Sequence, residues 1–250
     1  MVHGIDRFRE YFQDYAGQYI FIGGTACDII LGQKDVEFRA TKDLDMVLII
    51  EAVNDSFVRK FISFISDAGY QHIVKGKVEQ QFCRFEKPDN TEFPYMIELF
   101  GRRPDYLFEL DNNVAPIHVS DEVISLSAIL LDDEYYSLLL AGKTEVDGLT
   151  VLDLEHLILF KIKAWLDLCG LRDDGVHIDQ KNIKKHKNDV LRLGANITPN
   201  NGVHISGKVL DDVKEFTSRV AEEPIDVKTL GISGVTFQDI LKRITECYVY

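Results

Sequence analysis

The sequence predicts an α/β (α+β) fold in which a mixed β-sheet with helices is followed by a helix-rich C-terminal lobe. Up to about residue 120, short apolar runs of strand character alternate with segments of helical periodicity. From about residue 121 onward, helical periodicity dominates. We therefore expect two lobes, residues 1–120 and residues 121–250, with a cleft between them. The composition, 46% hydrophobic and 28% charged, excludes a disordered or fibrous chain.

Hydrophobic periodicity assigns the elements of the first lobe in order. The pattern predicts a helix at 5–15, a strand at 19–22, a short helix at 25–31, a strand at 44–50, a helix at 57–68, and strands near 81–86 and 95–100. The run Leu44–Ile50 is the strongest strand signal, because it is apolar on both faces, as in a central strand. Asn54 or Asp55 is the expected cap of the helix that follows it.

The second lobe is predicted to be mainly helical. The one exception we expect is a small hairpin around Tyr135–Val146. Polar residues placed directly before helical segments predict helix caps at Asp153, Asp179, Ser206 and Thr236.

The charge balance limits the classes of partner. The chain carries 28 Lys+Arg against 41 Asp+Glu, a net charge of −13, which argues against a non-specific DNA binder or a membrane-surface protein but leaves room for a local basic patch. The four cysteines are too far apart in sequence for a zinc knuckle. No apolar run approaches the roughly 20 residues of a membrane helix, and the charged first residues do not form a signal peptide. We therefore expect a cytoplasmic protein that binds no membrane.

Two carboxylates stand at the head of the predicted central strand. Asp43 and Asp45 are two residues apart, so in a strand their side chains point to the same face. Carboxylates placed side by side repel each other unless a cation lies between them. Magnesium suits such a place, because it takes hard oxygen ligands and bridges to phosphates.

A glycine pair predicts the complementary phosphate site. Gly23 and Gly24 precede a short helix, and without side chains they let a phosphate approach the backbone and the first N–H groups of the helix. Thr25 adds a hydroxyl donor, and Arg39 is a further candidate phosphate contact. Together with the two aspartates, these residues predict a site for a metal-bound nucleoside triphosphate.

The order of these features is more specific than any one of them. A strand, the glycine pair, a short helix, and then an Asp-x-Asp motif that opens an apolar strand resemble the nucleotidyltransferase superfamily of DNA polymerase beta. More narrowly, GGTA…RATKDLDMVLI resembles the AbiEii-type family, whose members typically read GGTA…R-x-S/T-x-D-L-D followed by apolar residues. The resemblance is close over Phe21–Ile50 and looser in the second half of the chain.

The resemblance implies a nucleotidyltransferase-type fold and a magnesium-dependent enzyme. Such an enzyme moves a nucleoside monophosphate from an NTP to an acceptor hydroxyl and releases pyrophosphate. It also implies two magnesium ions, held by Asp43, Asp45 and a third carboxylate on a neighbouring strand. Glu98, in the apolar run YMIELF, is the best match for the third ligand, although the family usually has aspartate there. The alternative is a glutamate at a strand end beside solvent.

Lys161 and Asp189 are the candidate site residues of the second lobe. At 100° per residue, Lys161 lies in the middle of an apolar helix face, where it must either reach out to solvent or meet an anion such as a nucleotide phosphate. The AbiEii-type pattern has a lysine followed by alanine three residues on, which Lys161 and Ala164 match. The pattern also commonly reads R-D-x-x-D-[LV], of which this chain keeps the second acid, Asp189. A structural pair of His186 and Asp189 is the alternative.

The acceptor is predicted by resemblance alone. AbiEii-like proteins are similar to toxins of bacterial toxin–antitoxin pairs, and some relatives modify transfer RNA, so we expect RNA as the acceptor and an antitoxin protein as a possible partner. A local group of basic residues could contact RNA phosphates or be a solvated helix face: Lys181, Lys184, Lys185, Lys187 and Arg192. The alternatives are transfer to a small molecule such as an aminoglycoside, and a non-catalytic nucleotide-binding or partner-binding protein with the same fold.

Overall fold

The computed structural model describes residues 2–49, 51–75, 82–102, 126, 129–130, 132–198 and 202–249. They divide into two compact units, one within Met1–Leu130 and Lys143–Asp153, the other within Leu131–Gly142 and Leu154–Tyr250. The predicted division at residue 120 differs from this in two respects. The first unit extends to Leu130. The segment Lys143–Asp153 belongs to the first unit, because one of its strands pairs with the sheet there.

Seven strands form the sheet of the first unit within the described residues. They are β1 (Tyr19–Phe21), β2 (Asp43–Leu48), β3 (Tyr70–Lys75), β4 (Phe82–Pro88), β5 (Met96–Phe100), β6 (Lys143–Val146) and β7 (Leu149–Leu152). Their order is β3-β4-β5-β2-β1-β7-β6. The pairs β2–β5 and β1–β7 are parallel and the other pairs are antiparallel. The predicted mixed α+β fold is therefore confirmed, and so is the central place of β2.

The helices of this unit whose bounds lie within the described residues are α1 (Ile5–Phe12), α2 (Gly23–Gly32) and α3 (Asp55–Ala68). Buried aromatic rings join α1 to α3, with ring centroids 5.7 Å apart for Phe8 and Phe64 and 5.4 Å apart for Phe12 and Phe57. Asn54 caps α3, because its side chain accepts a hydrogen bond from the Phe57 N–H. The helix predicted at 25–31 begins two residues earlier, at Gly23.

The predicted hairpin around Tyr135–Val146 is wrong in position. Residues Asp133–Ala141 form helix α4, because the Asp132 side chain accepts hydrogen bonds from the N–H groups of Glu134 and Tyr135 and so caps it. The hairpin follows as β6 and β7. Its turn is Asp147-Gly148, with φ of 50° and 75°, the pair of positive φ values that a two-residue hairpin turn needs. Strand β3 was also missed.

The second unit is helical, as predicted. It contains α4, α5 (Leu154–Asp173), α6 (Gln180–Gly194), α7 (Gly207–Ala221) and α8 (Phe237–Cys247), with a short parallel pair, β8 (Val203–His204) and β9 (Tyr248–Val249). Side chains of Asp179 and Thr236 cap their helices as expected. Ser206 occupies the predicted cap position, but its side chain makes no capping hydrogen bond. Within the described residues, no helix has the length and apolar character needed to cross a membrane.

Candidate active site

The glycine pair packs directly against the Asp-x-Asp motif. Gly23 has a φ of +62°, and a Cβ built on it would lie 2.0 Å from the Asp45 Oδ2, so only glycine leaves room for that carboxylate. The Gly24 N–H donates to the same oxygen at 3.2 Å, and the Ile22 N–H donates to the Asp45 carbonyl at 3.0 Å. Asp45, on the neighbouring strand, therefore accepts the Gly24 N–H in the first turn of α2, which is consistent with a helix that begins at Gly23.

Gly24 is also a position of close approach. A Cβ there would lie 2.7 Å from the Thr41 Oγ1. The two glycines thus let the start of α2 lie close to the segment that leads into β2.

Thr25 ties α2 to β2 through the backbone. Its buried hydroxyl donates to the Asp43 carbonyl at 2.6 Å. This bond uses the only proton of the hydroxyl, so donation to a phosphate, as the sequence suggested, would require the bond to break. The contact instead fixes the strand residue that carries the Asp43 carboxylate.

Replacing Thr25 by valine should lower the free energy of unfolding by about 1–2 kcal/mol, because valine keeps the shape but leaves the Asp43 carbonyl without its donor. Thr217→Val is the matched control. The Thr217 hydroxyl is only half-buried and bonds to a carbonyl of its own helix, so we expect a change within about 0.5 kcal/mol. Urea unfolding of both variants checks this, and an equal change in the two would contradict a structural role for Thr25.

Three carboxylates lie on one face of the sheet. Asp45 and Glu98 are register partners on the parallel strands β2 and β5, and Asp43 lies two residues before Asp45 on the same face. The carboxyl groups of Asp45 and Glu98 are within hydrogen-bonding reach of each other. Burial raises the pKa of Glu98 above its ordinary value and the negative charge of Asp43 raises it further, while Arg84 and the hydrogen bond with Asp45 lower it.

Arg84 is the site residue that sequence reasoning missed. It faces Glu98 across the antiparallel pair β4–β5, and its Nε donates to the Glu98 Oε1 at 2.9 Å while its Nη2 donates to the same oxygen. Both side chains are mostly buried. The available signal was a charged residue inside the otherwise apolar run FCRF, which predicts a buried partner of opposite charge.

The three carboxyl groups supply oxygen ligands of the kind that magnesium prefers, but one of these oxygens already has a protein partner. The oxygens of Asp43, Asp45 and Glu98 are hard ligands, and Asp45 and Glu98 are register partners on neighbouring strands. One Glu98 oxygen, however, already accepts from Arg84. In the part of the chain that the structure describes, no group of three or more His, Cys, Asp or Glu side chains is arranged to hold a metal ion. Glu98 is engaged by Arg84, and magnesium binding by Asp43, Asp45 and Glu98 stays a prediction.

Arg39 lies in the segment between α2 and β2. Its guanidinium carbon is 5.2 Å from the centre of the Phe38 ring, within the range of a cation–π contact. The phosphate contact predicted for it stays a prediction.

Lys161 and Asp189 lie in the second unit and meet each other. The Lys161 Nζ is 3.2 Å from the Asp189 Oδ2, and the two side chains are 7% and 0% exposed. The Arg192 Nη1 is 3.5 Å from the other oxygen of Asp189. The sequence predicted that Lys161, on an apolar helix face, must reach solvent or meet an anion. The anion that it meets is the Asp189 carboxylate on the next helix. A contact of either residue with nucleotide stays a prediction.

Comparison with known proteins adds no identification. No protein-family model matches the chain, and no curated protein matches it.

Proposed function

We propose that the protein is a magnesium-dependent nucleotidyltransferase, which transfers a nucleoside monophosphate from an NTP to an acceptor hydroxyl. The observation that supports this best is the fit of Asp45. Its carboxylate packs against the Gly23-Gly24 start of α2, and its register partner on the neighbouring strand is Glu98, so an element suited to phosphates lies beside an element suited to a metal.

In this proposal Asp43 and Asp45 hold magnesium. Bound magnesium would neutralise charge on the triphosphate and lower the pKa of the acceptor hydroxyl. The start of α2 would bind the β- and γ-phosphates, which requires the Gly24 N–H to exchange Asp45 for a phosphate oxygen. A deprotonated Glu98 could accept the proton of the acceptor hydroxyl. The acceptor oxygen attacks the α-phosphorus, the bond between this phosphorus and the α–β bridging oxygen breaks, and pyrophosphate leaves.

RNA is the acceptor that we favour, through the resemblance to AbiEii-type proteins. Lys181 and Lys184 are exposed on α6 and would suit RNA phosphates. The basic surface is smaller than the sequence suggested, because Lys187 pairs with Glu223 at 3.2 Å and Arg192 turns to Asp189. An antitoxin protein as partner belongs to the same proposal.

A second candidate acceptor is a small polycation such as an aminoglycoside. A surface cavity of about 390 Å³ lies in the first unit, beside the C-terminal end of α2. Four acids and one arginine are among the residues that line it: Asp28, Asp35, Glu37, Asp147 and Arg9. This surplus of negative charge suits a cationic ligand, and the cavity lies at the opposite end of α2 from Gly23 and Asp45.

Label transfer separates these functions. The protein is incubated with magnesium and each α-labelled NTP, first with total RNA and then with a panel of aminoglycosides, and Asp45→Asn and the exposed Asp55→Asn serve as matched variants. We expect label in RNA with the wild type and with Asp55→Asn, and none with Asp45→Asn. Label on an aminoglycoside would favour the second candidate. Label transfer that does not depend on Asp45 would contradict the proposed site. No label on any acceptor would contradict the proposed enzyme and favour the non-catalytic alternative.

A further inference from the structure

The outer edge of β6 has backbone groups that face away from the sheet. In the described part of the chain, β6 is the last strand in the sheet order and pairs only with β7. Val146 and Leu149 close the two-residue turn, so they exchange both of their backbone hydrogen bonds, and such pairs alternate along an antiparallel ladder. Thr144 therefore also bonds to β7. The backbone N–H and C=O groups of Lys143 and Glu145 point away from β7, and both residues are exposed.

The charges along this edge are self-complementary in a single register. Within β6, antiparallel pairing of two copies needs the outward-facing residues 143 and 145 to lie opposite each other, which three registers achieve. A register centred on Lys143 places two lysines opposite each other, and one centred on Glu145 places two glutamates opposite each other. A register centred on Thr144 places each Lys143 opposite Glu145 of the other copy. Opposite charges in facing positions stabilise a strand pair and like charges destabilise it.

Charged side chains on an edge strand ordinarily keep other strands away. An edge in which both charges meet their opposites removes that protection against a second copy of itself and keeps it against other registers. The contact is short, because each of the two facing Lys143–Glu145 pairs adds only its backbone hydrogen bonds and an exposed ion pair. A contact of this size gives a weak association that depends on protein concentration.

We propose that the outer edge of β6 pairs with the same edge of a second copy of this chain, antiparallel and centred on Thr144. The resulting dimer has a two-fold axis at Thr144 and joins the sheets of the two first units. The inference concerns a surface away from the candidate active site and does not depend on the proposed function.

Sedimentation equilibrium of charge variants tests the partner. The wild type, Lys143→Glu, Glu145→Lys and an equimolar mixture of these two variants are compared at physiological salt, which screens the net charge of −13 on each copy. We expect a weak dimer for the wild type. Each variant alone places like charges opposite each other, so its dimer should be about tenfold weaker or more. In the mixture, glutamates of one variant face lysines of the other, so association should return to at least the level of the wild type.

A wild type that stays monomeric at every concentration would overturn the inference, and the charges would then only protect the edge. Variants that associate as well as the wild type, or a mixture that does not recover association, would overturn it as well. The substitutions are at exposed positions of β6, and urea unfolding shows whether each variant folds.

A cysteine at the two-fold axis tests the register. Thr144 is the residue of β6 that would face itself, at a Cα separation of about 4.5 Å, which a disulfide spans. With a mild oxidant such as diamide, Thr144→Cys should give a disulfide-linked dimer, whereas Lys143→Cys, which would face Glu145, should give little. The four natural cysteines are buried. Equal cross-linking of the two variants, or none in Thr144→Cys, would contradict the proposed register.

Discussion

Replacing Gly23 by alanine should reduce label transfer about a thousandfold and lower the free energy of unfolding by about 2–4 kcal/mol. Two effects add. A φ of +62° is unfavourable for alanine, and the new Cβ would lie 2.0 Å from the Asp45 Oδ2, which must move. Moving Asp45 removes its bond to the Gly24 N–H and displaces a proposed metal ligand at the same time.

Gly32→Ala is the matched control, because it lies at the other end of the same helix. A Cβ there meets nothing within 4 Å, so we expect full transfer and a change in unfolding free energy within about 1 kcal/mol, with stabilisation the favoured sign. Urea unfolding and the transfer assay measure both variants. Equal activity of Gly23→Ala and Gly32→Ala would show that the position of the Asp45 carboxylate does not depend on a glycine at residue 23. It would contradict the proposed role of Asp45 beside the start of α2.

Replacing Asp189 by leucine should lower the free energy of unfolding by about 3–5 kcal/mol, because it leaves Lys161 charged and buried without the carboxylate 3.2 Å away. Arg192 would lose the same partner. The double variant Lys161→Met/Asp189→Leu should recover a large part of the loss, since replacing a whole buried pair by apolar side chains is close to neutral.

Glu246→Gln is the control for this pair. Glu246 pairs with Lys242 at 3.7 Å on the surface of α8, where both side chains are largely exposed, so the change should stay within about 0.5 kcal/mol. Chemical denaturation of the single and double variants forms a cycle. If Asp189→Leu and Glu246→Gln were equally mild, or the double variant no better than Asp189→Leu, the Lys161–Asp189 contact would not stabilise the second unit.

Most of the fold was predicted from short stretches of sequence. The apolar run Leu44–Ile50 predicted the central strand β2, and single side chains predicted the caps at Asp179 and Thr236. They also limited the cap of α3 to Asn54 or Asp55, of which Asn54 is the one observed. The hairpin was misplaced because the tyrosines of α4 favour strands, while the decisive signals were the Asp132 cap and the Asp147-Gly148 turn. These signals were present in the sequence.

Only those parts of the site that are formed by residues close together in the sequence could be predicted. The two-residue spacing of Asp43 and Asp45 and the nearby glycine pair follow from short stretches of chain. The row of Arg84, Glu98 and Asp45 depends on which strands pair and in which register, which periodicity does not specify. Likewise, Asp189 becomes the partner of Lys161 only through the packing of α5 against α6.

The central claim is that this chain transfers the α-phosphate of a nucleotide, and the position of the label tests it most directly. Parallel reactions with α-labelled and γ-labelled ATP and GTP, magnesium and total RNA are compared for the wild type and Asp45→Asn. We expect that with the wild type only the α-label enters RNA and the γ-label is released in pyrophosphate. With Asp45→Asn we expect no label in RNA and no release of pyrophosphate. Transfer of the γ-label to the acceptor, or equal behaviour of the two proteins, would contradict it.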